Sequence, residues 1–216
     1  MQPDLPDKYA APVPRYTSYP TAPHFSAKIG DAQYALWLSE LPAAAKLSLY
    51  VHIPFCHQLC WYCGCNTRAT QRYEPVAQYL NKMADELANV AALVPGGCTV
   101  AHIAWGGGSP NILAAADTVR LAAAIRAQFA VEGTAEFAVE IDPRHMDADK
   151  ADALRQSGVT RVSVGVQDFD PAVQAAIGRE QGFEATRSAV AALRERGFAS
   201  INIDLMYGLP RQTQQS

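Results

Sequence analysis

The amino-acid sequence predicts an α/β fold, an open and partial barrel of parallel strands, and three observations carry that prediction. Five short β-rich runs alternate with segments whose apolar residues recur at helical spacing. Parallel strands crossed by helices make an α/β sheet. Polar and glycine-rich residues gather where those strands end.

Taken in order, the elements begin with an arm. Six of the 14 prolines lie in the first 23 residues, at Pro3, Pro6, Pro12, Pro14, Pro20 and Pro23, and a fixed φ without an N–H disfavours helix there. The arm is expected to be extended, followed by a short helix from about Ala32 to Leu41 that Pro42 stops. The β-rich runs are LSLYVHI (47–53), TVAHIAW (99–105), EFAVEI (136–141), RVSVGVQ (161–167) and SINIDL (200–205). Val76, Leu80, Met83, Leu87, Val90 and Val94 repeat at steps of three and four, and Leu121, Ile125 and Phe129 at four, as one face of a helix does. Gly158 and Gly197 each end a helix before the next strand, in the manner of αL caps. The order is βαβαβαβαβ, with no internal repeat. An arm and short helix over 1–46 and a partial barrel over 47–216 are the expected domains.

A doubly wound sheet would also fit that order. It gathers only the strand ends beside its switch point, whereas a barrel brings all of them to one cavity. Here His52 and a cysteine loop follow the first strand, Gly106-Gly107-Gly108-Ser109 the second, and Glu140, Gln167 and Asp204 stand at the ends of the third, fourth and fifth. Chemistry at every strand end favours the barrel. Five strands cannot close one, and the sequence stops at RQTQQS soon after the fifth, so a piece truncated from a longer protein is expected.

Composition narrows the function. With 49% hydrophobic and 18% charged residues the chain is neither disordered nor collagenous. A net charge of -3 without a run of like charge argues against nucleic acid or a polybasic membrane surface. No apolar stretch has spanning length, and the opening MQPDLPDKYAAPVPRY is acidic where a signal peptide is basic and then apolar. A cytoplasmic monomer is expected.

Four of the five cysteines, Cys56, Cys60, Cys63 and Cys65, fall within ten residues, and Cys98 stands alone. Structural zinc usually takes two separated pairs of ligands, and no second CxxC or HxxxH follows. A disulfide is out of place without a secretion signal. A CxxxCxxC loop suits three thiolates on three corners of a 4Fe-4S cube, leaving one iron open to a substrate or cofactor.

That loop, directly after a first strand, resembles the signature of radical S-adenosylmethionine enzymes. In that family the methionyl amino and carboxylate groups chelate the open iron, and an electron from the cluster breaks the sulfur to C5′ bond to give a 5′-deoxyadenosyl radical. The resemblance implies Cys56, Cys60 and Cys63 as metal ligands, with Cys65 free beside them. Tyr62 resembles the aromatic that packs on the adenine. Tyr50 and His52 share one face of the first strand, pointing into the barrel, and Tyr50 is grouped with the cofactor-binding residues; His57 reads as a loop residue only. GGGSP resembles the glycine-rich cofactor motif, which gives Gly107, Gly108 and Ser109. Glu140, Gln167, Arg179 and Asp204 recur in the family's order: acceptors for ribose hydroxyls and, in Arg179, a partner for a carboxylate. Trp105 and Trp61 read as packing residues, and Cys98 as an ordinary core or edge thiol.

RYTSYPTA (15–22), LYVHIPFCHQLCWYCGCN (49–66), WGGGSP (105–110), EIDPR (140–144), GVQDF (165–169) and NIDLMYGLP (202–210) together resemble the oxygen-independent coproporphyrinogen III oxidase (dehydrogenase) family of bacterial haem synthesis. Ser109 stands where Thr is usual, which keeps the hydroxyl. The resemblance implies radical abstraction of a β hydrogen from a propionate, then loss of carbon dioxide and one electron to leave a vinyl group, twice per substrate, taking coproporphyrinogen III to protoporphyrinogen IX. It further implies 4Fe-4S and S-adenosyl-L-methionine as cofactors, a small-molecule porphyrinogen and an electron donor of unknown identity as partners, and a catalytic Cys65. A second S-adenosylmethionine would find most of its contacts outside this sequence. A haem chaperone of the same superfamily and a non-catalytic iron-sulfur or zinc module are the alternatives.

Overall fold

A computed structural model of the chain describes residues 21–214, so the expected arm and nearly all of RYTSYPTA lie outside the described residues. Two compact units divide between Trp37 and Leu38. In the first, Pro23 lies within a single helical turn, Ala22–His24, where an extended chain was expected. Helix α1 (Asp31–Ser39) buries none of its residues. Asp31 stands in its first turn, where the positive end of the helix favours a carboxylate. The helix stops two residues short of Leu41, whose N–H closes a turn on the carbonyl of Leu38.

The second unit runs β1 (Lys46–Ile53), β2 (Phe55–Cys56), β3 (Arg68–Ala69), α2 (Glu74–Leu93), β4 (Thr99–Gly107), α3 (Ala115–Gln128), β5 (Val131–Ile141), α4 (Ala148–Gln156), β6 (Arg161–Gln167), α5 (Pro171–Ala176), α6 (Phe183–Glu195) and β7 (Ser200–Leu205). Five strands form one parallel sheet in the order β1-β4-β5-β6-β7. That order never reverses, so the sheet has no switch point of the doubly wound kind and is instead a partial α/β barrel.

Three features depart from the sequence reading. Strand β5 starts at Val131, five residues before 136, because a register shift lets Val100 pair with Val131 and His102 with Glu136. The two-residue strands β2 and β3 pair in parallel and bracket the cysteine loop. Helix α5 is additional and starts with Asp170 as its cap, whose carboxylate accepts from the N–H groups of Ala172 and Val173.

Alternation along the strands sets the core. Val51, Ile53, Val100, Ile103, Trp105, Phe137, Val139, Ile141, Val162, Val164 and Val166 are all buried, each worth about 1.5–3 kcal/mol on leaving water. Val76, Leu80 and Leu87 of α2, Leu121 and Ile125 of α3, Leu154 of α4 and Leu193 of α6 cover them. Trp105 packs edge-on against Phe137 with centroids 5.0 Å apart, which bears out its packing role. Both predicted caps are present: after Gly158 and Gly197 the chain turns back so that the N–H of Val159 reaches the carbonyl of Leu154 and that of Phe198 reaches Leu193. Among the described residues no helix is long and apolar enough to cross a membrane.

Candidate active site

With Val51, Val139 and Val164 turned into the core, their neighbours Tyr50, His52, Glu140, Ser163 and Gly165 share the opposite face, and Asp204 pairs with Gly165 across the sheet. A bulge at Val166 separates the pairs Gly165–Asp204 and Gln167–Leu205 and leaves Gln167 at φ 73°. A non-glycine residue holds that conformation only where its surroundings fix it; the carbonyl of Gln167 accepts from Met206 N at 2.9 Å.

The cysteine loop is fastened at both ends. Arg68 N reaches the carbonyl of Pro54 at 3.0 Å and Thr70 N that of Cys56 at 2.9 Å. Midway, Trp61 N donates to Ile177 O at 2.9 Å, and Gln58 Nε2 to Gly178 O at 3.2 Å, so the turn after α5 clamps the loop. Trp61 is not the packing residue expected: it is 76% exposed, with only the edge of its indole against Gly178. His57 is a loop residue, as expected, with its ring 4.0 Å from that of His145.

Two glycines bring β4 under this loop. Gly108 N donates to Ile53 O and Ser109 N to Phe55 O, both at 2.8 Å. A Cβ on Gly108 would collide with the carbonyl of Phe55, and one on Gly107, at φ 106°, with the ring of His52. Only glycine permits so close an approach.

A cavity of about 240 Å³ results. Cys56, Cys60, Cys63 and Cys65 line it from the loop, with Tyr62 between them; Gly107, Gly108 and Ser109 line it from β4. Glu140, Gln167, Arg179 and Asp204 complete the expected set. Tyr50 does not line it: more than half exposed, its hydroxyl is 3.0 Å from His52 Nδ1. Cys98, as expected, is a buried thiol apart from the site, donating to Pro42 O.

The thiols sit among donors. Ser109 Oγ donates to Cys56 Sγ at 3.6 Å, and Thr67 Oγ1 lies 3.5 Å from the same sulfur. Arg179 Nη1 donates to Cys60 Sγ at 3.5 Å. Burial pushes the Cys65 thiol above its ordinary pKa, helped by Cys63, and keeps the Tyr62 phenol protonated well above its own. Burial, then the charge of Asp204, holds the Glu140 carboxyl above the usual range. Asp204 accepts from Ser163 Oγ at 2.8 and 2.9 Å.

Sequence reasoning missed Asp142, Arg144 and Asn111. Asp142 is buried on the cavity wall; Arg144 Nη2 donates to it at 2.6 Å, and the carboxylate that Arg179 meets is also Asp142's, at 3.5 Å. Asn111 pins its backbone, accepting from Asp142 N at 2.9 Å and donating to Asp142 O at 2.8 Å. The signal was within EIDPR, where Arg follows Asp by two residues; only the fold places that pair against Arg179.

A 4Fe-4S cube spreads its ligands over separate corners. Four cavity-lining thiols, two hydroxyls against one sulfur and a guanidinium on another are a set that fits an anionic iron-sulfur cluster.

The chain belongs to the radical SAM superfamily, whose sequence profile matches residues 50–216. It is 52% identical over 217 aligned residues to the oxygen-independent coproporphyrinogen III oxidase of Bradyrhizobium diazoefficiens, covering 100% of this chain and 48% of that protein. With the enzyme of the same name from Escherichia coli it is 44% identical, over 97% of this chain and 45% of the relative. The solved structure of coproporphyrinogen III oxidase from Escherichia coli, a radical SAM enzyme, superposes with a TM-score of 0.88 at 42% identity, covering 99% of this chain and 48% of that one. The chain thus spans about half the length of these relatives.

Proposed function

We propose that the chain carries the cluster and cofactor site of an enzyme that decarboxylates coproporphyrinogen III to protoporphyrinogen IX without oxygen. The observation that carries this reading is the cavity itself. The cysteine loop after β1 and residues at the ends of β4, β5, β6 and β7 meet there, in a chain that matches enzymes of that name over its whole length.

When bound, a 4Fe-4S cluster and S-adenosyl-L-methionine supply the low-potential electron and the hydrogen-abstracting carbon radical. Cys56, Cys60 and Cys63 hold the cluster in this reading. The bare backbone at Gly107 and Gly108 admits the methionyl end of the cofactor, with the Ser109 hydroxyl beside it. Glu140, Gln167 and Asp204 accept from ribose hydroxyls, Tyr62 lies along the adenine, and Tyr50 steadies that wall through His52. Arg179 carries positive charge to the cluster and the cofactor carboxylate. Cys65, on the cavity wall beside the ligands, is the catalytic residue. The partners are a porphyrinogen and an electron donor.

The test is anaerobic. The protein as its gene encodes it, with iron and sulfide measured, is incubated with S-adenosylmethionine, reductant and coproporphyrinogen III, and the porphyrins are separated by chromatography. Protoporphyrinogen IX is expected. Unchanged substrate above an intact cluster overturns the reading in favour of a haem-binding role, which haem titration then checks. Equimolar zinc without sulfide points to a non-catalytic module.

A further inference from the structure

Asp142 is a carboxylate only 5% exposed, between two arginines whose side chains are 14% and 9% exposed. A charge so buried is costly unless paired, and its pairs differ. Arg144 grips it: Nε reaches Oδ1 at 3.0 Å and Oδ2 at 3.1 Å, Nη2 reaches Oδ2 at 2.6 Å, and the backbone N–H adds a bond of 3.0 Å to Oδ1. Arg179 stands farther off. Its Nη1 is 3.5 Å from Asp142 Oδ2 and also 3.5 Å from Cys60 Sγ, so one nitrogen bridges carboxylate and sulfur. Its Nη2 is tied to Gly165 O at 2.6 Å, while Nε is buried without a hydrogen-bond partner among the described residues. Asp142 and Gly165 O therefore fix where this guanidinium points.

We propose that Asp142 is a positioning residue for the reduction potential of the cluster: clamped by Arg144, it holds the guanidinium of Arg179 on the sulfur of Cys60. This rests on the reading of Cys60 as a cluster ligand. Reduction adds negative charge, so a cationic donor on a ligand sulfur stabilises the reduced cluster and raises its potential. Arg144 adds positive charge to the same side: burial disfavours its ionisation, but Asp142 and then Cys60 outweigh that and raise its pKa.

The experiment is a redox titration of the reconstituted protein, followed by electron paramagnetic resonance, after iron and sulfide are counted. Asp142→Glu keeps the charge but lengthens the arm, so a role through charge alone leaves the potential where it was. The positioning role shifts it to more negative values. Arg179→Lys, which keeps charge but loses the fork, shifts it the same way, and the double variant moves no farther than Arg179→Lys alone. Arg144→Lys, at the more open partner, gives a smaller negative shift and decides the matter should Asp142→Glu fail to fold or load. An unmoved or more positive potential overturns the proposal, as does additivity in the double variant. Absence of any cluster in the unsubstituted protein overturns instead the reading of Cys60.

Discussion

The ring of His52 fills the space that a side chain on Gly107 would need: a Cβ there would stand 2.5 Å from His52 Nδ1 and Cε1. The ring cannot retreat. Tyr50 OH holds Nδ1 at 3.0 Å, the carbonyl of Asn66 holds Nε2 at 2.8 Å, and Tyr79 OH donates to the His52 carbonyl at 2.7 Å. Gly107→Ala therefore meets both a collision and a φ of 106°. A loss of about 1–3 kcal/mol is expected, or about 2–4 °C of Tm for each kcal/mol. Gly133→Ala, with nothing within 4 Å of the added carbon, is the control in the same melting experiment. Equal melting of the two variants would contradict the account.

Substitution of the loop cysteines separates ligands from bystander. Cys56→Ala, Cys60→Ala and Cys63→Ala are each expected to lose most bound iron and sulfide after anaerobic reconstitution. Cys65→Ser should retain both, yet lose turnover by about 10²-fold or more, the typical contribution of a group that moves a proton. Full decarboxylase activity in Cys65→Ser removes its catalytic role, and loss of the cluster makes it a ligand.

Five strands, the helices between them and the residues at the strand ends were legible because each obeys a short-range rule: alternation, a repeat of three and four, or a glycine after a helix. What escaped depends on distant partners. Strands β2 and β3 have two residues each, too few for alternation to register. Nothing local ties Asp142 and Arg144 to the site, because Arg179, 37 residues from Asp142, closes on them only in the fold. Trp61 was expected to pack, but the loop is fastened there by its backbone, which leaves the indole mostly exposed.

Glu140 lies on the cavity wall beneath Gly106, its carboxyl about 3.0 Å from where a Cβ on that glycine would be. In the role proposed for it, accepting from cofactor hydroxyls, it binds best when ionised, and burial together with Asp204 raises its pKa. Affinity for S-adenosylmethionine should therefore start to fall, as the solution is acidified, at a higher pH than for an ordinary glutamate. Glu140→Gln should weaken binding about 10- to 100-fold, the worth of a charged hydrogen bond, and remove that acid limb. Anaerobic calorimetry on cluster-loaded protein between pH 8 and 5 reads both. An acid limb that survives in Glu140→Gln assigns the titration to another group.

Asp142 governs stability with the opposite sign. Burial alone would raise its pKa, but the hydrogen bonds from Arg144 and the charges of Arg179 and Arg144 outweigh it and hold the carboxyl below the usual range. Because the folded value is the lower one, the unfolded chain takes up the proton first. The contribution is thus complete above the ordinary value of about 3.9 and disappears as pH falls through the folded value. Removing one partner of a buried pair costs about 3–5 kcal/mol. Asp142→Asn is accordingly expected to unfold at lower urea than the unsubstituted protein at pH 7, with the two midpoints converging below about pH 4. Midpoints that stay equally far apart down to pH 3 would mean that the carboxylate is not what the arginines stabilise.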